Sequence, residues 1–149
     1  MTEVGFYQLL HTPLEAALPR LLEKAYAAGL RSVVLAGGPD RVEALSALLW
    51  TYDPDSFLPH GSALDGMAER QPIWLTHLDE NPNQATLLVL VDGRSAGGLG
   101  SWQRCLDIFD GRDEVALGAA RVRYRAARDG GHTLKYYAQT DRGWELKSG

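Results

Sequence analysis

Residues that bind anions and apolar groups recur near the C-terminal end of the sequence with the spacing of one helix face. Arg121, Tyr124, Arg125 and Arg128 lie at positions i, i+3, i+4 and i+7, which places them on the same side of an α-helix. Guanidinium groups bind carboxylates and phosphates through paired N–H donors, and a tyrosine ring beside them offers an apolar wall. The segment predicts a local site for a short acidic peptide or a few phosphates, with Arg123 facing elsewhere. From the residues alone, the same pattern is also explained by a solvated helix face on which the arginines are present because they favour helix formation.

The charge of the chain is distributed unevenly. Residues 1–111 contain 7 Lys and Arg against 14 Asp and Glu, and residues 112–149 contain 8 against 5. The whole chain has a formal net charge of −4, whereas proteins that bind long stretches of nucleic acid are normally basic, because affinity rises with the number of phosphates neutralised. The distribution favours a small anion site near the C-terminal end over an extended nucleic-acid interface.

The residues that could hold a metal or act as a nucleophile lack motif spacing. Cys105 is the single cysteine of the sequence, which excludes a disulfide framework and a thiolate metal cluster. It lies in residues 101–106, whose pattern predicts a helix, and we expect a small buried side chain there instead of a reactive thiol. The histidines are scattered without metal-ligand spacing, at His11, His60, His77 and His132. We expect neither a metal nor a cofactor, and for His60 a structural hydrogen bond.

The hydrophobic pattern places these residues in an alternating α/β chain. Strands are predicted at 4–9 and 32–36, and helices at about 13–28 and 41–50, with Pro39 near the first helical position. Strand-helix alternation of this kind implies a largely parallel sheet with helices on its faces. The stretch 51–69 is irregular and longer than an ordinary connection, so we expect it to make specific contacts.

The remaining segments predict further strands and the basic helix. The predicted elements are strands at 72–76 and 87–91, a helix at about 98–106, a short strand around 108–109, the basic helix at about 113–128 with Asp113 as its N-cap, and strands at 133–139 and 144–146. With 149 residues and 45% hydrophobic content, the chain fits one domain over residues 1–149. We expect a cytoplasmic protein, because the sequence shows neither a secretion leader nor an apolar run of about 18 residues that could span a bilayer.

Three blocks of the sequence resemble a known family. Residues 6–9, residues 49–60 and residues 121–128, the last preceded by residues 107–111, are similar to the chi subunit of bacterial DNA polymerase III. With residues 131–132, 136–137 and 144–145, the chain resembles the form found in alphaproteobacteria. The resemblance implies a single-domain, Rossmann-like three-layer α/β sandwich with a mostly parallel sheet and without nucleotide-binding motifs. It also implies a non-catalytic accessory subunit of the clamp-loader complex, without a cofactor.

The same resemblance implies a partner for the basic helix. In the family, chi binds the acidic C-terminal tail of single-stranded DNA-binding protein, which ends in an aromatic residue and a free carboxylate. The corresponding residues here are Arg121, Tyr124, Arg125 and Arg128, and we assign Arg121 or Arg125 to the terminal carboxylate. Leu117 stands where the family has a basic residue, which predicts either a lower affinity for the tail or a more apolar site.

A second partner surface is implied by two aromatic residues. Trp50 and Phe57 match the family's psi-facing aromatics, so the resemblance implies that the protein links the tail to psi or to another clamp-loader subunit and meets single-stranded DNA indirectly. Aromatic side chains are frequent anchors of such interfaces. The residues alone also allow both side chains to close the second helix over the core.

Two other functions are compatible with parts of the sequence. The turn at 36–40 could place a phosphate at a helix N-terminus, as in a nucleotide-binding enzyme, but it lacks the third glycine of a dinucleotide motif and the Lys-Ser/Thr of a P-loop. Weak direct binding of single-stranded DNA is the other alternative, with Tyr124, Tyr136, Tyr137 and Trp144 as a stacking platform beside the arginines.

Overall fold

Seven strands and three helices form within residues 2–149, the part of the chain that this computed structural model describes. In chain order they are β1 (Glu3–Leu9), α1 (Leu14–Ala27), β2 (Ser32–Leu35), α2 (Pro39–Thr51), β3 (Ile73–Thr76), β4 (Leu87–Leu90), β5 (Arg104–Asp110), α3 (Glu114–Asp129), β6 (Thr133–Thr140) and β7 (Gly143–Ser148). Short 3₁₀ turns lie at Ala68–Arg70 and Leu99–Ser101. None of the described helices combines the length and the apolar character needed to cross a bilayer.

All seven strands belong to one sheet, in the order β3-β2-β4-β5-β1-β6-β7. The pairs from β3 to β6 are parallel, and β7 pairs antiparallel with β6. The central strands β2 and β4 are buried at every position, as expected of parallel strands covered on both faces. The predicted fold class, a three-layer α/β sandwich with a mostly parallel sheet, is confirmed.

The two faces of the sheet are covered differently. On one face, α1 and α2 bury a continuous row of large aliphatic side chains against β2, β4 and β5. On the other face, α3 buries the small residues Ala120 and Ala127 beside the irregular segments 77–86 and 91–103. Tyr124 of α3 also packs on this face, with its ring centroid 5.1 Å from that of Phe6 on β1.

One predicted element is wrong. Residues 98–106 do not form a helix, because the glycine-rich stretch gives only a 3₁₀ turn at Leu99–Ser101 and strand β5 begins at Arg104. Strand β5 is also longer than the predicted strand at 108–109, since it pairs with β1 along seven residues, from Arg104 to Asp110. Cys105 is fully buried in this strand. Burial raises the pKa of its thiol well above the usual range, which agrees with the prediction of a buried, unreactive side chain.

The irregular segment after α2 is fixed by specific contacts, as its composition predicts. The Tyr52 hydroxyl donates to Glu23 and lies 2.9 Å from the Ser56 hydroxyl, while Gly61 forms a parallel bridge with Trp74 at the edge of the sheet. The segment therefore closes the outer side of β3, which protects an edge strand from unwanted pairing.

Candidate functional site

Helix α3 has well-defined ends. The Asp113 side chain accepts hydrogen bonds from the amides of Val115 and Ala116 at 2.9 and 3.4 Å, as predicted for the N-cap. The helix ends before Gly130, and Gly131 has a φ of 82°, in the left-handed region that glycine adopts without strain. These two signals fix the length of the helix and the phase of its exposed face.

A buried ion pair ties α3 to the sheet. The Arg123 guanidinium donates two hydrogen bonds to the Asp107 carboxylate of β5, at 2.6 and 3.0 Å, and the side chains are 13% and 3% exposed. Burial raises the pKa of Asp107, and the hydrogen bonds from Arg123 act in the opposite direction. Arg123 therefore positions the helix and points away from the predicted site, as its place in the sequence suggests.

Beside α3, on the β6 side, lies an open cavity of about 290 Å³. Leu117, Ala120 and Tyr124 of the helix line it, together with Phe109 of β5 and Tyr136 of β6. The rings contact one another, since the centroid of Tyr136 is 6.2 Å from both Tyr124 and Phe109. The cavity is thus lined by aromatic and aliphatic carbon and suits an apolar side chain.

The hydroxyl of Tyr136, which lines the cavity, already has a hydrogen-bond partner. The Tyr136 hydroxyl donates to Gln8 Oε1 at 2.8 Å. Burial raises the pKa of Tyr136, and the charge of Arg121 lowers it to a smaller extent. Arg121 lines the same cavity as Tyr136, so a cationic side chain borders the apolar cavity.

Arg121 and Arg125 also line the cavity. Both side chains are exposed, and within residues 2–149 neither forms an ion pair, whereas Arg123 pairs with Asp107 and Arg128 with Asp129 at 3.6 Å. Two unpaired guanidinium groups beside an apolar cavity can bind a carboxylate whose neighbouring side chain enters that cavity.

The predicted residues are brought together in part. Arg121, Tyr124 and Arg125 line one cavity, and Leu117 adds the apolar wall that the sequence suggests. Arg128 does not line it, because it lies one turn further along the helix and is paired with Asp129. Sequence reasoning missed Phe109 and the contribution of Tyr136, although the alternation of each strand puts both on the α3 face.

The predicted aromatic pair lies on the surface at the end of α2. Trp50 and Phe57 are 53% and 69% exposed, and their ring centroids are 5.8 Å apart. The alternative that both close the core is wrong, because Leu58 and His60 enter the interior instead, at 2% and 5% exposure.

His60 supports this aromatic pair from below. Its ring lies 4.5 Å from the ring of Trp50, and its nitrogens contact the carbonyl oxygens of Leu58 and Ser46 at 2.7 and 3.0 Å. The predicted structural hydrogen bond of His60 is confirmed. The ring joins the irregular segment to α2 and leaves the two aromatic side chains pointing outward.

The protein's own side chains fill the positions at which a nucleotide phosphate would bind. The amide of Gly37, before α2, donates to the Asp92 carboxylate at 2.9 Å, and the Arg41 guanidinium donates two hydrogen bonds to the same carboxylate. Before α1, three successive amides, residues 10–12, donate to Gln139 Oε1 at 2.8–3.0 Å. Because helix N-termini and clustered amides are the usual phosphate sites of α/β folds, this arrangement argues against the nucleotide-binding alternative.

The four rings considered as a stacking platform do not form one surface. Tyr124 and Tyr136 belong to the α3 side of the sheet, whereas Tyr137 and Trp144 pack on the opposite side. Adjacent residues of a strand point in opposite directions, so Tyr136 and Tyr137 cannot serve the same face. A single platform built from all four rings is therefore wrong.

Comparison with known proteins agrees with the sequence resemblance. Residues 1–135 match the family model described as DNA polymerase III chi subunit, HolC. The probable DNA polymerase III subunit chi of Rickettsia prowazekii (strain Madrid E) is 39% identical over 88 residues, which are 57% of this chain and 53% of that protein. The match thus spans about half the length of this curated relative.

Proposed function

The chain belongs to the DNA polymerase III chi subunit family, and from this premise we propose that it is a non-catalytic subunit of the clamp-loader complex that binds the acidic C-terminal tail of single-stranded DNA-binding protein. The observation that carries the proposal is the cavity of about 290 Å³ beside α3, with two unpaired arginines at its mouth. An apolar cavity next to free guanidinium groups is the chemistry that a peptide ending in an aromatic residue and a carboxylate requires.

The peptide's terminal aromatic side chain would enter the cavity between Tyr124 and Tyr136. Its terminal carboxylate would then meet Arg121 or Arg125, both of which line the same cavity. Loss of one charge-assisted hydrogen bond costs about 1.5–3 kcal/mol. We therefore expect the arginine that binds the carboxylate to contribute a large part of the affinity for the peptide. Arg128 lies one turn further on and would attract acidic residues upstream in the tail, an effect that salt screens.

The proposed second contact is with psi or another clamp-loader subunit through Trp50 and Phe57. Exposed aromatic pairs of this kind are frequent hot spots of interfaces. The pair lies at the end of α2, on the side of the sheet opposite α3. Two partners on opposite faces do not compete for space, which is what a linking subunit requires.

Titration with a fluorescent peptide copied from the tail of the same organism's single-stranded DNA-binding protein tests the first contact. We expect saturable, salt-sensitive binding that weakens about tenfold or more in Arg121→Ala and in Tyr124→Ala. Arg70→Ala is the matched control, because Arg70 is also exposed and lies on a separate 3₁₀ turn. Absence of binding by the intact protein, or equal losses in the control, would overturn the proposal.

Binding of the intact protein to the reconstituted clamp loader of the same organism tests the second contact. Trp50→Ser and Phe57→Ser should weaken this association, while Val115→Ser, which changes an 82% exposed side chain of α3, should not. If all three variants bind the clamp loader as tightly as the unaltered protein, the aromatic pair is not the interface.

A further inference from the structure

The outer part of the sheet has a face that the helices leave open. Helices α1 and α2 cover the side opposite α3 over β2 to β5, and the hairpin of β6 and β7 extends the sheet past them. Tyr137 and Trp144 are partly exposed on this open face, and Leu146 is 50% exposed. Tyr137 and Trp144 lie on the face opposite Tyr124 and Tyr136, so this surface is separate from the cavity beside α3.

The aromatic rings of the open face are held in fixed positions. Tyr7, buried at 8% exposure, stacks on Tyr137 with ring centroids 4.7 Å apart and meets Trp144 edge-on at 5.0 Å. In the β6–β7 register, Tyr137 is opposite Leu146 and Trp144 is opposite Gln139, whose amide oxygen is anchored by three backbone amides. Rings ordered before binding lose little conformational entropy when a ligand stacks on them.

The charged side chains on the same face have a net positive charge. Glu3 bridges to Arg104 at 3.4 Å and to Lys135 at 3.1 Å, so two cations share one carboxylate. Strand register places Lys135, which is opposite Gly5 of β1, two residues before Tyr137 on the same face of β6, and places Arg104 opposite Glu3, nearer the start of the strands.

We propose that the open face of β1, β6 and β7 binds a short stretch of single-stranded DNA, with bases stacked on Trp144 and Tyr137 and a phosphate near Lys135 and Arg104. Aromatic rings beside cations on an uncovered surface are the recurring means of holding single strands without sequence preference. The face is about 10 Å wide, from the spacing of three strands. It therefore fits a few nucleotides, and its small positive charge predicts weak, salt-sensitive binding.

Other occupants fit this face less well. A folded partner protein would need an interface of about 1,200 Å² or more, which three partly exposed side chains do not supply. Bases need only ring faces and one or two nearby cations.

Fluorescence anisotropy of a labelled oligothymidylate of about 15 nucleotides at about 50 mM salt tests the proposal on the full chain. We expect saturable binding that weakens about fivefold or more in Trp144→Leu and Tyr137→Leu, which retain an apolar side chain but lose the aromatic ring. Lys135→Gln should reduce the slope of log affinity against log salt by about one. Arg121→Ala on α3 should leave DNA binding unchanged.

Leu146→Glu is a second variant, for the case that loss of an aromatic ring impairs folding. It adds a negative charge at a half-exposed position of the same face, and it should also weaken DNA binding. All variants of this face should bind the tail peptide normally, which separates this proposal from the one on α3. The proposal is overturned if the intact protein does not bind the oligonucleotide, or if Trp144→Leu and Leu146→Glu bind it normally. Loss of DNA binding in Arg121→Ala alone would place the nucleic acid on α3 instead.

Discussion

Replacement of Arg123 by alanine should unfold the protein more easily, and more so at high pH. The change leaves the Asp107 carboxylate, 3% exposed, without the guanidinium that donates to both of its oxygens. Removal of one partner from a buried ion pair typically costs about 3–5 kcal/mol. Because the Arg123 side chain is still 13% exposed and water can enter after truncation, we expect a loss near the lower end, about 3 kcal/mol.

The pH dependence follows from the direction of the Asp107 pKa. Burial already raises this pKa in the intact protein, against the opposing action of Arg123, and removal of Arg123 should raise it further. An acid whose pKa is higher in the folded state than in the unfolded state binds more protons when folded, so stability falls as pH rises. The loss of stability in Arg123→Ala should be small below about pH 4, where Asp107 is protonated in both the folded and the unfolded state. It should reach its full size above the raised pKa of Asp107.

Urea unfolding of the intact protein and of Arg123→Ala at about pH 5 and about pH 8 measures both effects. The double variant Arg123→Met with Asp107→Leu is the control, because apolar replacement of a whole buried pair is often neutral, and it should recover most of the loss. A cost below about 1 kcal/mol, the range of surface pairs, or a cost that grows as pH falls would refute the reasoning.

Three further outcomes concern the scaffold of the site. Asp113→Ala removes the acceptor of two amides at the start of α3 and should cost about 1 kcal/mol in urea unfolding, while Asp113→Asn should restore most of it. Gln139→Ala leaves three amides before α1 without their acceptor and should cost about 1–3 kcal/mol in the same assay, and an unchanged midpoint would contradict this. Cys105 should react with a thiol reagent only when the protein unfolds, because burial disfavours its thiolate, and fast labelling under native conditions would show that the strand opens.

Local signals in the sequence were sufficient to predict α3 and most of its site. Asp113 as N-cap is a short-range feature, and the observed helix, Glu114–Asp129, begins directly after it and ends within one residue of the predicted bound. Helical spacing also predicts that Arg121 and Tyr124 share one side, and both line the same cavity. Such features depend on neighbouring residues and need no knowledge of the fold.

The segment 98–106 shows where local pattern fails. Its apolar spacing is compatible with a helix, but strand β5 begins at Arg104 because seven of its residues pair with β1. Both faces of β5 are covered, so the two-residue alternation that marks a half-buried strand is hidden. Burial on two sides thus removes the signal on which sequence-based assignment depends.

The sequence by itself determined the alternating α/β order, the ends of α3 and the phase of its arginines, since each depends on steric preferences within a few residues. The tertiary structure decided that Phe109 and Tyr136 complete the cavity, that Arg123 is held by Asp107, and that Arg128 stands apart. These outcomes depend on the register of strands distant in sequence and on where α3 crosses them, which only burial of the whole core fixes.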